Sequence, residues 1–200
     1  MQRKEKGIII KLDMENAFDR VILPYLVAVL KKLGFSKEIV EVIQACITTP
    51  WITPLINGRP SELFQSTRGL RQGCPLSPFL YIIMAETLSR TLEKQRKKRN
   101  IIGLRTARRV KTINYSLFAD DTLLLGGAST IIARRFKRIL DEFLQVSCGL
   151  LNNTKRRIYG WNTSPRTMQG ISQILDIPIQ EKWTHFFNLG LPISKENMKA

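Results

Sequence analysis

Asn114-Tyr-Ser-Leu-Phe-Ala-Asp-Asp-Thr-Leu-Leu-Leu125 is the stretch on which the fold turns. The apolar residues on either side of Ala119-Asp120-Asp121 read as strand, tight turn and strand, a hairpin of antiparallel neighbours. Nearer the start, Gly7-Ile-Ile-Ile-Lys-Leu-Asp-Met14 opens with a β-branched apolar run that suits a strand buried on both faces. Each of these apolar segments ends on acid: Asp13 in the first, Asp120 and Asp121 at the turn of the second.

Helical signals fill the space between. Pro24 suits the first residue of a helix running through Leu30, with Gly34 as its stop. Ser36 can cap a second helix from Lys37 to about Thr48, with Ile39, Val40, Ile43 and Ile47 on one side. Pro50, Pro54, Asn57-Gly58 and Pro60 break the next stretch into turns and short strands. Ser66 to Ser77 reads as a loop, and Ser77-Pro78 as the cap and first residue of a helix reaching about Lys94. Ala133 to about Val146 carries the stripe Phe136, Ile139, Leu140 and Phe143. Beyond Gly160 only short apolar stretches are visible. Strands and helices in irregular order around a hairpin predict an α+β fold with an antiparallel sheet.

Composition narrows the function classes. With 200 residues, 44% of them hydrophobic, the chain can bury one core and is not mainly disordered. Lys and Arg number 32 against 16 Asp and Glu, a formal net charge of +16, so a polyanion is the expected partner, nucleic acid before acidic membrane. The apolar runs fall well short of the ~20 residues that span a bilayer, so no membrane partner is expected and the chain reads as soluble and intracellular. Cys46, Cys74 and Cys148 are widely spaced and offer neither a disulfide framework nor a paired-cysteine metal site. The single histidine, His185, leaves little room for a histidine-based triad.

Acids are therefore scarce, and their placement is informative. A carboxylate at a buried strand end is costly unless something compensates it. If the two apolar segments are neighbours, two or three carboxylates converge, and like charges at that range need a cation to stay ionised. Magnesium, a hard ion held by carboxylates and substrate phosphates, suits such a place. On the residues alone the plainer reading stands beside this one: a strand-end cap at Asp13 and ordinary turn chemistry at Asp120-Asp121. Asp19 reads as a local cap.

Several ordered blocks carry a resemblance. Ile10-Lys-Leu-Asp-Met-Glu-Asn-Ala-Phe-Asp-Arg-Val21 resembles motif A of reverse transcriptases, and Arg68-Gly-Leu-Arg-Gln-Gly-Cys-Pro-Leu-Ser-Pro78 resembles motif B. Phe118-Ala-Asp-Asp121 resembles motif C, Gly149 with Asn152-Asn-Thr-Lys155 motif D, and Asn188-Leu-Gly-Leu-Pro192 motif E. Together they are similar to non-LTR, LINE-type retrotransposon reverse transcriptases of the plant-genome branch, over about residues 8 to 193. The fold this implies is a polymerase palm, an antiparallel sheet backed by helices, with residues 1–195 as the palm and 196–200 as the start of a connection. Seven residues precede Ile8 and the sequence stops at Ala200, shortly after motif E, so the fingers and thumb of the family are expected to be largely missing.

The resemblance also implies roles. Asp13, Asp120 and Asp121 would be the catalytic carboxylates and the ligands of two Mg2+ ions, with Mn2+ able to substitute. Phe18, five residues after Asp13, would gate the incoming sugar against a 2′-hydroxyl. Gln72 and Gly73 would lie beside the dNTP, and Lys155 near its triphosphate. Arg68 and Arg71 would contact nucleic-acid backbone, as would the basic runs Lys94–Arg99, Arg105–Lys111 and Arg134–Arg138. Trp51, Trp161 and Trp183 read as packing residues before base-stacking ones. The activity implied is RNA-directed DNA polymerisation, dNTP added to a DNA primer 3′-hydroxyl on an RNA template, with nuclear residence expected from the family. Two other readings stay open: a catalytically inactive nucleic-acid-binding remnant, and a group II intron maturase-like relative.

Overall fold

The computed structural model describes residues 6–104 and 112–195. The basic run Arg105–Lys111 and the connection assigned to 196–200 lie outside the described residues. In chain order the elements begin with β1 (Gly7–Asp13), α1 (Leu23–Lys32) and α2 (Lys37–Thr48). Four two-residue strands follow: β2 (Trp51–Ile52), β3 (Leu55–Ile56), β4 (Arg59–Pro60) and β5 (Phe64–Gln65). Then come α3 (Leu76–Lys97), β6 (Tyr115–Phe118), β7 (Asp121–Gly127) and α4 (Thr130–Ser147). The chain closes with β8 (Arg157–Trp161), α5 (Pro165–Leu175), β9 (His185–Asn188) and β10 (Leu191–Ser194). The described residues divide into two compact units, one drawn from Met1–Glu15, Leu88–Phe143 and Leu151–Ala200, the other from Asn16–Thr87 and Leu144–Leu150.

The first unit is built on a four-stranded sheet in the order β6-β7-β1-β8, antiparallel at every pairing. β1 is central, hydrogen-bonded on both edges and covered on both faces, and the face burial is why its sequence is mainly apolar: Ile8, Ile9, Ile10 and Leu12 are all fully buried. Strand alternation sorts the sheet into two faces. Ile8, Ile10 and Leu12 share one with Leu124 and Ile158. Helices cover this face. A Cβ on Gly126 would meet the Phe136 ring of α4 at 3.2 Å, and one on Gly160 would meet the Met168 sulfur of α5 at 2.5 Å. Glycine at 160 is what allows α5 so close to the strand. The other face carries Ile9, Lys11 and Asp13, with Asp121, Leu123 and Leu125 on β7 and Arg157, Tyr159 and Trp161 on β8. Its apolar end is closed by Leu104, Trp183 and Phe186. Tyr159 stacks on Phe186 at 4.1 Å between centroids and meets Trp183 edge-on at 5.3 Å. Trp161 and Trp183 are thus core residues.

The second unit holds α1, α2 and two small hairpins, β2–β5 and β3–β4. Asn57 and Gly58, at φ +50° and +75°, make the two-residue loop between β3 and β4. Ser36 caps α2 by accepting the Ile39 amide at 3.4 Å, and Gly34 at φ +90° follows α1.

Three expectations change. α5 lies where the sequence shows only short apolar stretches; Ser164 caps it and Met168, Ile171 and Leu175 are its buried side. α3 begins at Leu76, so Ser77 is inside its first turn rather than its cap, and its hydroxyl donates to the Arg71 carbonyl at 2.7 Å. The stripe on α2 is not a core face: Val40 alone is buried, and Ile39 is 49% exposed.

Candidate active site

The antiparallel register of β1 and β7 ends on the pair Asp13↔Asp121. Directly opposite residues on adjacent strands place their side chains on the same face, with Cβ atoms roughly 5 Å apart. The β6–β7 turn is Ala119-Asp120, with Ala119 held at φ +50°, a conformation a non-glycine residue adopts at some cost. The turn is fastened to the first strand, because the Met14 amide donates to the Asp120 carbonyl at 3.0 Å. Asp13 is thus brought to the same end of one sheet as Asp120 and Asp121, from which it is far removed in sequence. Asp13 is buried, while Asp120 is exposed.

Lys155 joins them. Its Nζ lies 3.1 Å from Asp13 Oδ2. The segment before it is anchored to the same strand: the Asn152 amide donates to the Asp13 carbonyl at 2.8 Å, and Met14 bridges Leu151. Asn152 then folds back on its own chain, its Oδ1 accepting the Thr154 amide at 3.0 Å and hydroxyl at 2.7 Å. This turn, a common use of asparagine, delivers Lys155 to the acids. The Asp13 hydrogen bond, then the charges of Asp13, Asp120 and Asp121, hold the Lys155 ammonium above the usual lysine range. All three carboxylates therefore act on one cation.

The second unit carries the residues expected beside the nucleotide. The loop from Ser66 to Pro75 is tied to the chain following Asp13, with the Leu70 amide donating to the Phe18 carbonyl at 2.8 Å and the Gly69 amide to the Val21 carbonyl at 2.8 Å. Gly69, at φ +86°, is required here, since a Cβ would sit 2.9 Å from the Asp19 carbonyl oxygen. Phe18 is half-buried and stacks on the buried Tyr81 at 5.0 Å and 26°. Asp19 is not a cap: α1 has Ile22 at its cap position, and the Asp19 carboxylate instead accepts from Gln72 Nε2 at 3.4 Å. Gly73 is exposed at φ +81°, and Arg68 and Arg71 are exposed. Asp19, Arg68, Arg71 and Gln72 line a cavity of about 440 Å³ that also borders Cys46 and Cys74. Hydrogen bonding from the Leu76 amide at the start of α3 lowers the Cys74 thiol pKa.

The basic runs are partly self-neutralised. Arg96 forms a two-pronged bond to Glu93 at 2.7 and 2.6 Å, and on α4 Lys137 and Arg138 pair with Asp141 and Glu142. Sequence reasoning missed the Asp19–Gln72 contact and the direct Lys155–Asp13 pair, which joins residues 142 positions apart.

The acid cluster thus lies on neighbouring antiparallel strands of the first unit, and the second unit carries a glycine-bearing loop that leads into a long helix. Residues 1–167 match the family model for reverse transcriptase (RNA-dependent DNA polymerase), and the chain belongs to this family. It is similar to the transposon TX1 149 kDa protein of Xenopus laevis, 31% identical over 84% of this chain and 12% of that protein. It is also similar to the Pol polyprotein of the type-2 retrotransposable element R2DM of Drosophila melanogaster, 28% identical over 79% of this chain and 14% of that protein. A mitochondrial protein of Arabidopsis thaliana is 44% identical over 34% of this chain and 56% of its own length. The chain thus spans 12% to 56% of these relatives, and the resemblance to non-LTR retrotransposon enzymes read from motifs A to E stands. Solved structures share the fold. Telomerase from Candida albicans, in complex with a TWJ fragment of telomeric RNA, superimposes with TM-score 0.68 at 16% identity, over 98% of this chain and 31% of that one. Apo telomerase from Candida tropicalis truncated from its C-terminal domain gives TM-score 0.65 at 14% identity, over 97% and 35%.

Proposed function

We propose that this chain is the palm of an RNA-directed DNA polymerase from a non-LTR retrotransposon, adding nucleotides from dNTP to a DNA primer 3′-hydroxyl on an RNA template. The observation that carries the reading is the register pair Asp13↔Asp121, with Asp120 at the adjoining turn and Lys155 held against Asp13. The donor set is all carboxylate, and it already holds a cation, the Lys155 ammonium, which is the chemistry expected of a hard divalent ion's site. As the side chains stand, no group of three or more His, Cys, Asp or Glu among the described residues closes to metal-holding geometry. Asp13, Asp120 and Asp121 are the residues that would hold Mg2+ or Mn2+. When bound, such ions supply activation of the primer hydroxyl and charge neutralisation at the phosphates.

The chain's own residues do the rest. Strand pairing fixes the backbone of Asp13 and Asp121, so side-chain rotation is the movement needed to close their carboxylates on an ion. Phe18, braced by Tyr81, presents a ring that excludes a 2′-hydroxyl. Gln72 offers an amide to the sugar, and Gly73 lets the backbone approach. Lys155 supplies positive charge to the triphosphate and a proton to the pyrophosphate that leaves it. Arg68, Arg71 and the basic helix faces engage nucleic-acid backbone, which makes binding fall steeply with salt. The short Arabidopsis match is in keeping with the plant-genome branch, and nuclear residence is part of the proposal.

Primer extension on an RNA template with Mg2+ and dNTPs, run beside Asp120→Asn, tests the reading. Extension by the chain and none by the variant is expected; equal extension by both contradicts it. No extension by either, with salt-sensitive duplex binding intact, would instead favour the non-catalytic nucleic-acid-binding reading, which the +16 charge supports.

A further inference from the structure

We infer that Lys155 is a built-in counter-ion competing with divalent metal for the Asp13 carboxylate, so that metal entry and release of the lysine ammonium are one coupled event. The inference rests on the proposed reading of the acids as metal ligands and goes beyond it by assigning Lys155 a role before any nucleotide arrives.

The geometry is asymmetric in the way such a role requires. The Asp13 side chain is 10% exposed and that of Lys155 is 62% exposed. The carboxylate is carried on a buried, doubly paired strand, and the ammonium reaches it from solvent at 3.1 Å. The backbone on either side of the lysine is pinned: Asn152 to the Asp13 carbonyl at 2.8 Å, and the Arg156 amide to the Asn152 carbonyl at 3.2 Å. The Arg156 guanidinium is held in turn by Asp176 at 3.1 Å. Only the lysine side chain is therefore left to swing. A divalent ion on the Asp13 carboxylate and an ammonium 3.1 Å from one of its oxygens repel each other, and each weakens the hold of the other on the shared acid. Metal entry therefore loosens Lys155, and the loosened ammonium, still tethered at the acids, needs a new anion. A nucleotide triphosphate is the anion the proposed reaction brings. Lysine suits this better than arginine, being a compact point charge on a flexible stem.

The test is direct Mn2+ binding in the absence of nucleotide, followed by the electron paramagnetic resonance signal of free Mn2+. The chain, Lys155→Met, Lys155→Arg and Asp120→Asn are compared, with circular dichroism confirming that each is folded. Lys155→Met is expected to bind Mn2+ roughly 2- to 5-fold more tightly than the unsubstituted chain. Lys155→Arg should stay near the unsubstituted value, and Asp120→Asn should weaken binding. Unchanged or weaker affinity in Lys155→Met, with Asp120→Asn still weakened, overturns the counter-ion role and leaves the metal-site reading intact. Mn2+ affinity indifferent to both Lys155→Met and Asp120→Asn overturns both.

Discussion

The two compact units use the same kinds of residue in opposite ways. In the first, β1 is paired along both edges and its isoleucines are fully buried. In the second, the strands are two residues long, and Trp51, Leu55, Ile56, Leu63 and Phe64 are 48–70% exposed. The carboxylates thus stand on a sheet whose register fixes their backbone, while Gln72 and Gly73, expected at the nucleotide, stand on an exposed loop held by a few backbone bonds. Under the proposed function the contrast is a division of labour: the acids for chemistry sit on a backbone fixed by paired strands, and recognition that must admit a substrate sits where the chain can adjust.

The contrast can be broken by substitution. Phe136→Ala, deleting the fully buried ring over Gly126, should cost about 3–5 kcal/mol in chemical denaturation. A loss below about 1 kcal/mol would mean that the helix-covered face is not the core. Gly69→Ala forces a Cβ against the Asp19 backbone at positive φ and should cost about 1–3 kcal/mol, with weakened nucleotide binding by the loop. Hydrogen exchange sharpens the comparison without mutation: the Ile9 and Ile10 amides should exchange near the global unfolding limit, and the Ile56 amide far faster. Leu55→Ser should change stability by no more than about 0.5 kcal/mol while reducing self-association in sedimentation, since it removes exposed apolar surface only. The smallest effect concerns Cys74: iodoacetamide at neutral pH should label it ahead of Cys46 and Cys148, read by peptide mass spectrometry.

Legibility in the sequence follows the same division. β1 and the β6–β7 hairpin announce themselves because a strand buried on both faces is mainly apolar, and because Asp120-Asp121 interrupts an otherwise apolar stretch. The motif loops are legible through resemblance, since their glycines and prolines encode backbone shape locally. α5 carries Ser164-Pro165 as a start signal, yet Met168, Ile171 and Leu175 are spaced among threonine, glutamine and serine, which leaves the stripe thin. The α2 stripe misleads in the opposite direction: helical spacing reports a face, not what covers it. The Lys155–Asp13 pair could not be read at all, because it depends on β8 pairing with β1 and on the Asn152 turn, both long-range outcomes of folding.

The central claim is that strand register converts Asp13, Asp120 and Asp121 into one polymerase site. Primer extension on an RNA template by Asp13→Asn, beside the unsubstituted chain and with Mg2+ present or withheld, tests it most directly. The account predicts extension by the unsubstituted chain only, and only with Mg2+. Equal extension by Asp13→Asn, or extension that persists without any divalent ion, would contradict it.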